Sequence, residues 1–217
     1  MNDERNAAIR ARFDGRADAY DDNTMHRELA AAVAGFADLD DVRTVLDVAT
    51  GTGLVARAFA ARNPGLELVG VDLSPGMLAV ARRELPSAVF FEGVAEELPV
   101  ADASADLVTC VTALHIFADP LPVFEEFARV LAPEGVLVTA TFAEVPAGHG
   151  HGDTGTPPEQ RPPGAVGAPG YEPNHAAFAT PEALAAAAAP AGFVVTRYEF
   201  RVIEDDRVLI AELAPVD

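Results

Sequence analysis

The chain has 217 residues, 50% of them hydrophobic, which is enough to bury one full core in one domain. Its 34 acidic residues against 15 basic ones give a formal charge of −19, which opposes a phosphate backbone and argues against a nucleic-acid substrate. Every basic residue is arginine, and the one cysteine, Cys110, lies in an apolar run, so neither a disulfide framework nor a cysteine metal site is expected. The first residues, Met1-Asn2-Asp3-Glu4-Arg5, carry no apolar signal core, and no apolar run approaches the ~20 residues of a membrane helix. A cytoplasmic protein with no membrane span is the expectation.

Residues 3–38 read as helices: Ile9 and Phe13, then Leu29, Val33 and Phe36, recur at three- and four-residue steps. Gly15 and the run Asp21-Asp22-Asn23 interrupt them. Because this stretch precedes the first strand, residues 1–40 are expected to form a helical lid or flank. Alternation follows over 41–143. Thr44–Val48 reads as a buried strand, 54–62 as a helix and 66–71 as a second strand. Ser74-Pro75 supplies a cap and a first-turn proline for a helix ending before Pro86. Strands are expected at 88–91, 106–111 and 136–142, with an amphipathic helix between the last two showing Leu121, Phe124, Phe127 and Leu131 on one face. Strands and helices alternating in this way imply a parallel sheet covered on both faces.

Residues 145–178 are rich in Gly, Pro, Ala and His and read as a long flexible loop, either a functional lid or disordered. Thr180-Pro181 restarts a helix, and 192–200 and 207–213 read as two strands closed by Glu204-Asp205-Asp206 into an antiparallel edge hairpin. The expectation for 1–217 is one α/β domain: a Rossmann-like, doubly wound, mostly parallel seven-stranded sheet with an antiparallel edge hairpin and an N-terminal lid.

The chemistry concentrates after the first strand, at Ala49-Thr50-Gly51-Thr52-Gly53. Glycines between a strand and a helix let a ligand approach the backbone and the free amides of the helix. The string Gly51-x-Gly53-x-x-Ala56 is compatible with a dinucleotide as well as with other adenosine cofactors. Asp47, four residues before Gly51, would repel a pyrophosphate but favour an amine. Asp72, about 20 residues after the glycines, can take both ribose hydroxyls.

These residues and the blocks after them resemble class I S-adenosylmethionine-dependent methyltransferases. Val45–Gly53 is similar to the family's first motif, and Ala before Thr-Gly-Thr-Gly is similar to the quinone-biosynthesis branch. Val69–Leu78, Glu92–Pro99, Ala105–Val108, Leu114–Pro120 and Arg129–Gly135 resemble the later blocks, in order. The resemblance implies that Ala49, Gly51, Thr52 and Gly53 hold the methionine part of S-adenosylmethionine, with Asp47 nearby. It also implies that Asp72 binds the ribose, with Leu73 and Met77 against the adenine side, and that Ala95 offers its amide to the adenine edge. It further implies that Val111 lies under the cofactor and that Tyr20 reaches in from the lid. The family usually has Asp where this chain has Val94, so either Glu96 compensates or that adenine contact is absent.

Methyl transfer from a sulfonium needs an aligned acceptor and a dry site, and a base only if the acceptor keeps its proton until attack. His115 is the candidate base, the alternative being a histidine that only shapes the pocket. The run Gly148–Asp153 holds too few ligands for a metal site, and none is expected. His175 reads as a solvated loop residue or as a polar group of the pocket. The leading reading is methyl transfer to a small molecule by a monomer or homodimer. The alternatives are a nicotinamide-dependent oxidoreductase and a non-catalytic S-adenosylmethionine-binding module.

Overall fold

The computed structural model describes residues 2–144, 149–150, 153–154 and 173–216. The core strands are β1 (Thr44–Val48), β2 (Glu67–Asp72), β3 (Val89–Glu92), β4 (Ala105–Val111), β5 (Leu131–Glu144), β6 (Phe193–Ile203) and β7 (Asp206–Pro215). They form one sheet in the order β3-β2-β1-β4-β5-β7-β6. The first five pair parallel, and the β6–β7 hairpin adds antiparallel to β5. This is the expected seven-stranded Rossmann-like sheet with its edge hairpin. The strand order reverses between β1 and β4, which run side by side, and their carboxyl ends open a crevice of the kind that receives ligands in such sheets.

Side-chain alternation explains why both faces are covered. In β4, Leu107 packs toward α2 (Thr24–Phe36) and α3 (Leu54–Arg62), while Val108 and Cys110 pack toward α5 (Leu121–Val130) and α6 (Pro181–Ala188). Phe124 and Phe127 of α5 are fully buried, each contributing roughly 2–3 kcal/mol of apolar burial. The buried stripe of α5 is Val123, Phe124, Phe127 and Val130, turned slightly from the expected one, because Leu131 already belongs to β5. β5 starts earlier than predicted: Leu131 pairs with Ala105 before the turn, and the register shifts before Val136 meets Leu107.

Residues 1–40 divide into two structural roles. Leu29, Ala30, Val33 and Ala34 of α2 are buried with Val45, Phe59 and Val138, so this helix is a core layer rather than part of a lid. α1 (Asn2–Asp14) and the 3₁₀ turn Ala17–Asp22 supply the residues of this segment that line the main cleft at the carboxyl edge of the sheet. Asn23 separates the two parts, its side chain accepting from Met25 N–H as the cap of α2. The lid segment is held at both ends by carboxylates. Asp14 accepts from Ser74 Oγ and from Gly76 N–H (2.8 Å) at the start of α4 (Pro75–Glu84). Asp21 accepts from Thr52 Oγ1 and from the Arg57 guanidinium at the start of α3. Gly76 is required for the first of these, since a Cβ there would sit 2.9 Å from Asp14 Oδ1.

Most of the long loop expected at 145–178 lies outside the described residues, as do the side chains of His149 and His151. Among the described residues, no helix is long and apolar enough to cross a membrane, and no group of three His, Cys, Asp or Glu is placed to hold a metal.

Candidate active site

The loop between β1 and α3 turns on backbone conformation. Ala49, Gly51 and Gly53 all have positive φ (57°, 57° and 79°). A Cβ on Gly51 would meet nothing within 4 Å, so the loop backbone there faces open space. Gly53 differs: it caps α3, and its Cα faces Ala81 and Phe90 rather than the cleft wall. Gly70 beneath the loop leaves no room for a side chain, since a Cβ would lie 2.6 Å from the Phe90 ring and 2.8 Å from Thr50 Cγ2.

Two carboxylates flank this loop. Asp72 accepts from Gly51 N–H and Ser74 N–H, both at 2.8 Å. Burial raises its pKa, and the two amides oppose the rise. The amides also hold the carboxylate in place at the cleft wall. Asp47 is buried, 2% exposed, between Thr50 Oγ1 (2.6 Å) and Thr109 Oγ1 (2.7 Å), both donating to it. Desolvation pushes its pKa up to about 6, with the threonine hydroxyls pulling down and Asp72 pushing up.

The main cleft, with the open solvent at its mouth, spans about 900 Å³. Of the predicted residues, Tyr20, Ala49, Gly51, Asp72, Leu73, Met77, Val94, Ala95, Glu96 and Val111 all line it. Asp47 and Thr52 line a smaller recess beside it, with Thr50, Leu54, Val55 and His26. Val94–Glu96 is fixed from outside. Leu98 N–H donates to Glu126 (2.7 Å), and Arg129 donates to the carbonyls of Leu98 and Val100 while pairing with Glu126. Glu96 lies at the cleft wall beside Val94.

His115, in the 3₁₀ turn Leu114–Ile116, does not line the main cleft. It lines an adjoining cavity of about 760 Å³ with Arg12, Arg16, Asn23, His26, Phe142, Glu204 and Asp206. Tyr20 and Thr112 line the cleft, the recess and this cavity alike. Thr112 was not singled out as a site residue from the sequence. It sits just past β4 with φ 52°, its N–H donating to Ala140 O at 2.8 Å, and no residue-type signal announces that conformation. Arg5, Asn6, Ile9 and Phe13 of the expected lid also line the cleft, though none was singled out from the sequence as a site residue.

A methyltransferase-domain family model matches residues 46–139, spanning β1 to mid-β5. A demethylmenaquinone methyltransferase of Thermus thermophilus is 41% identical over 170 residues, covering 72% of this chain and 76% of that protein. The chain belongs to the class I S-adenosylmethionine-dependent methyltransferases. The demethylmenaquinone methyltransferase of Chlorobaculum parvum is 46% identical over 91 residues, 42% of this methyltransferase, and the match spans only 37% of that relative. In the solved Haloferax volcanii complex of the Trm112 methyltransferase activator with a methyltransferase, one chain superposes with a TM-score of 0.71 at 23% identity, covering 94% of this chain and 98% of that one, a likeness of fold. The methyl donor of this family is S-adenosylmethionine, an EC 2.1.1 chemistry. The residues present fit it: an open glycine backbone, an amide-oriented carboxylate 21 residues beyond Gly51, and a buried acid behind the loop. Asp72 suits the ribose of either cofactor, whereas Asp47, buried behind the loop, opposes a pyrophosphate at the glycines.

Proposed function

We propose that this methyltransferase methylates a small aromatic acceptor of the quinol class, held in the cavity beside His115. The observation that carries the reading is the junction at Tyr20 and Thr112, where a donor-sized cleft and a second, polar cavity share a wall. The likeness to demethylmenaquinone methyltransferases supports the acceptor class. S-adenosylmethionine, when bound, supplies an electrophilic methyl group on a sulfonium.

In this reading Asp72 takes the ribose hydroxyls, the Ala95 amide meets the adenine edge, and the loop Ala49–Gly53 cradles the methionine part. Asp47 compensates the amine through its recess. Phe13, Tyr20 and Ile116 exclude water around the transfer line. An imidazole nitrogen of His115 accepts the hydroxyl proton of the acceptor, which raises the electron density of the ring for attack. The charge of −19 opposes nucleic-acid partners. A single buried free cysteine suits a reducing, cytoplasmic setting, in which the protein acts as a monomer or homodimer.

The test is turnover. Purified protein, S-adenosylmethionine and a reduced demethylated naphthoquinol should give S-adenosylhomocysteine and a methylated product identified by mass. Binding of S-adenosylmethionine with no turnover on quinols, catechols or phenols would overturn the acceptor class.

A further inference from the structure

We propose that His175 is a positioning residue for His115, holding its ring in the acceptor cavity and keeping it unprotonated at near-neutral pH. The inference rests on His115 serving as the base, as proposed above. The two residues are 60 positions apart, yet their rings stack with centroids 4.1 Å apart and planes 20° apart. Phe142 of β5 stands edge-on to both, at 6.3 Å from His115 and 6.1 Å from His175. The imidazole of His115 is therefore bounded by one aromatic edge and one parallel ring.

The segment carrying His175 is fastened on two sides. Asn174 N–H donates to the backbone carbonyl of His115 (2.9 Å). Three residues beyond His175, Phe178 is buried at 2% exposure, and its carbonyl accepts from Thr141 Oγ1 of β5 (2.7 Å). His175 thus has a fixed place against the 3₁₀ turn, not the freedom of a surface loop.

Proton occupancy follows from the same geometry. Two stacked imidazoles at this distance do not both carry a charge readily, because like charges repel in a partly dry site. His175 is half-buried while His115 is 9% exposed, so the outer ring takes the first proton and resists a second on the inner one. Arg12, Arg16 and His26 face the cavity from α1, the residues after it and α2, and they act in the same direction. Glu204 and Asp206, at the tip of the β6–β7 hairpin, act against it. His115 then meets the acceptor as a free base. It takes up the hydroxyl proton as the acceptor attacks the methyl carbon, and S-adenosylhomocysteine leaves with the electron pair of the broken carbon–sulfur bond.

The experiment is the pH dependence of kcat/KM for the acceptor in wild type, His175→Phe, His175→Ala and His115→Gln. His175→Phe keeps a stacked ring and removes the neighbouring charge, so the acidic limb should move up by about half to one pH unit with kcat at high pH within about threefold of wild type. His175→Ala also frees the ring, and kcat should fall about tenfold while the KM for S-adenosylmethionine holds. A purely structural role would lower stability in melts without moving the limb. Wild-type limbs in both His175 variants, with His115→Gln inactive, overturn this inference and leave the base intact. Full activity in His115→Gln overturns the base itself and the inference with it.

Discussion

Replacing Asp47 with Asn separates what the fold wants from what the ligand wants. Asp47 is 2% exposed, and burial raises its pKa from 3.8 to about 6. A rise of about two units corresponds to roughly 3 kcal/mol of folding free energy. The folded protein holds this proton more tightly than the unfolded chain does, so the ionised group opposes folding. The penalty is absent below about pH 4, grows between pH 4 and 6, and is complete above about pH 6. Asn removes the charge but can serve only one of the two threonine hydroxyls as an acceptor, which costs about 1 kcal/mol. Ligand-free Asp47→Asn should therefore be about 2 kcal/mol more stable than wild type at pH 8, and about 1 kcal/mol less stable at pH 4. Urea denaturation followed by circular dichroism at both pH values measures this. The same variant should bind S-adenosylmethionine about tenfold more weakly in calorimetry. An equal stability difference at pH 4 and pH 8 would refute the burial argument, and unchanged affinity would refute the assignment to the ligand.

Asp72→Asn should weaken S-adenosylmethionine binding by between about ten- and a hundredfold, since a charge-assisted acceptor is lost, with acceptor KM unaffected. Gly70→Ala forces a methyl into the Phe90 ring and should cost about 2 kcal/mol, lowering the thermal midpoint by about 4–8 °C; a midpoint within a degree of wild type would mean that the ring yields freely. Asp14→Asn weakens the lid at Ser74 and Gly76 and should speed S-adenosylhomocysteine dissociation several-fold in stopped flow, leaving β-sheet stability unchanged. An unaltered dissociation rate would detach that carboxylate from lid closure.

The sheet was legible because a parallel strand buried on both faces is a continuous apolar run, as in Leu107-Val108-Thr109-Cys110, and because the glycine loop needs φ values that few residues accept. The place of Asp72 at the cleft wall was legible by its distance along the chain from that loop. Three matters were hidden. The apolar stripe of α2 looks the same in a lid as in a core layer, because periodicity names a buried face without naming what buries it. The position of His115 in the neighbouring cavity depends on the direction of a 3₁₀ turn, which sequence spacing does not encode. The stack of His175 on His115 depends on a tertiary return across 60 residues, anchored by Thr141 and Phe178, and no local pattern carries it. Gly53 was correctly placed in the loop, but its glycine serves the packing of α3 against α4 and β3 rather than the cleft wall.

The lid has a kinetic consequence. Phe13 and Tyr20 belong at once to the cleft and to the adjoining cavity, and the segment bearing them is fastened at Asp14 and Asp21. One segment thus borders two compartments. With the proposed acceptor in the second of them, release of the methylated acceptor and of S-adenosylhomocysteine would be a single gated event. Pre-steady-state traces would then show a burst of one turnover followed by a slower steady rate. That steady rate would be the same for acceptors of different intrinsic reactivity, because it would be set by the opening of that segment and not by the chemistry.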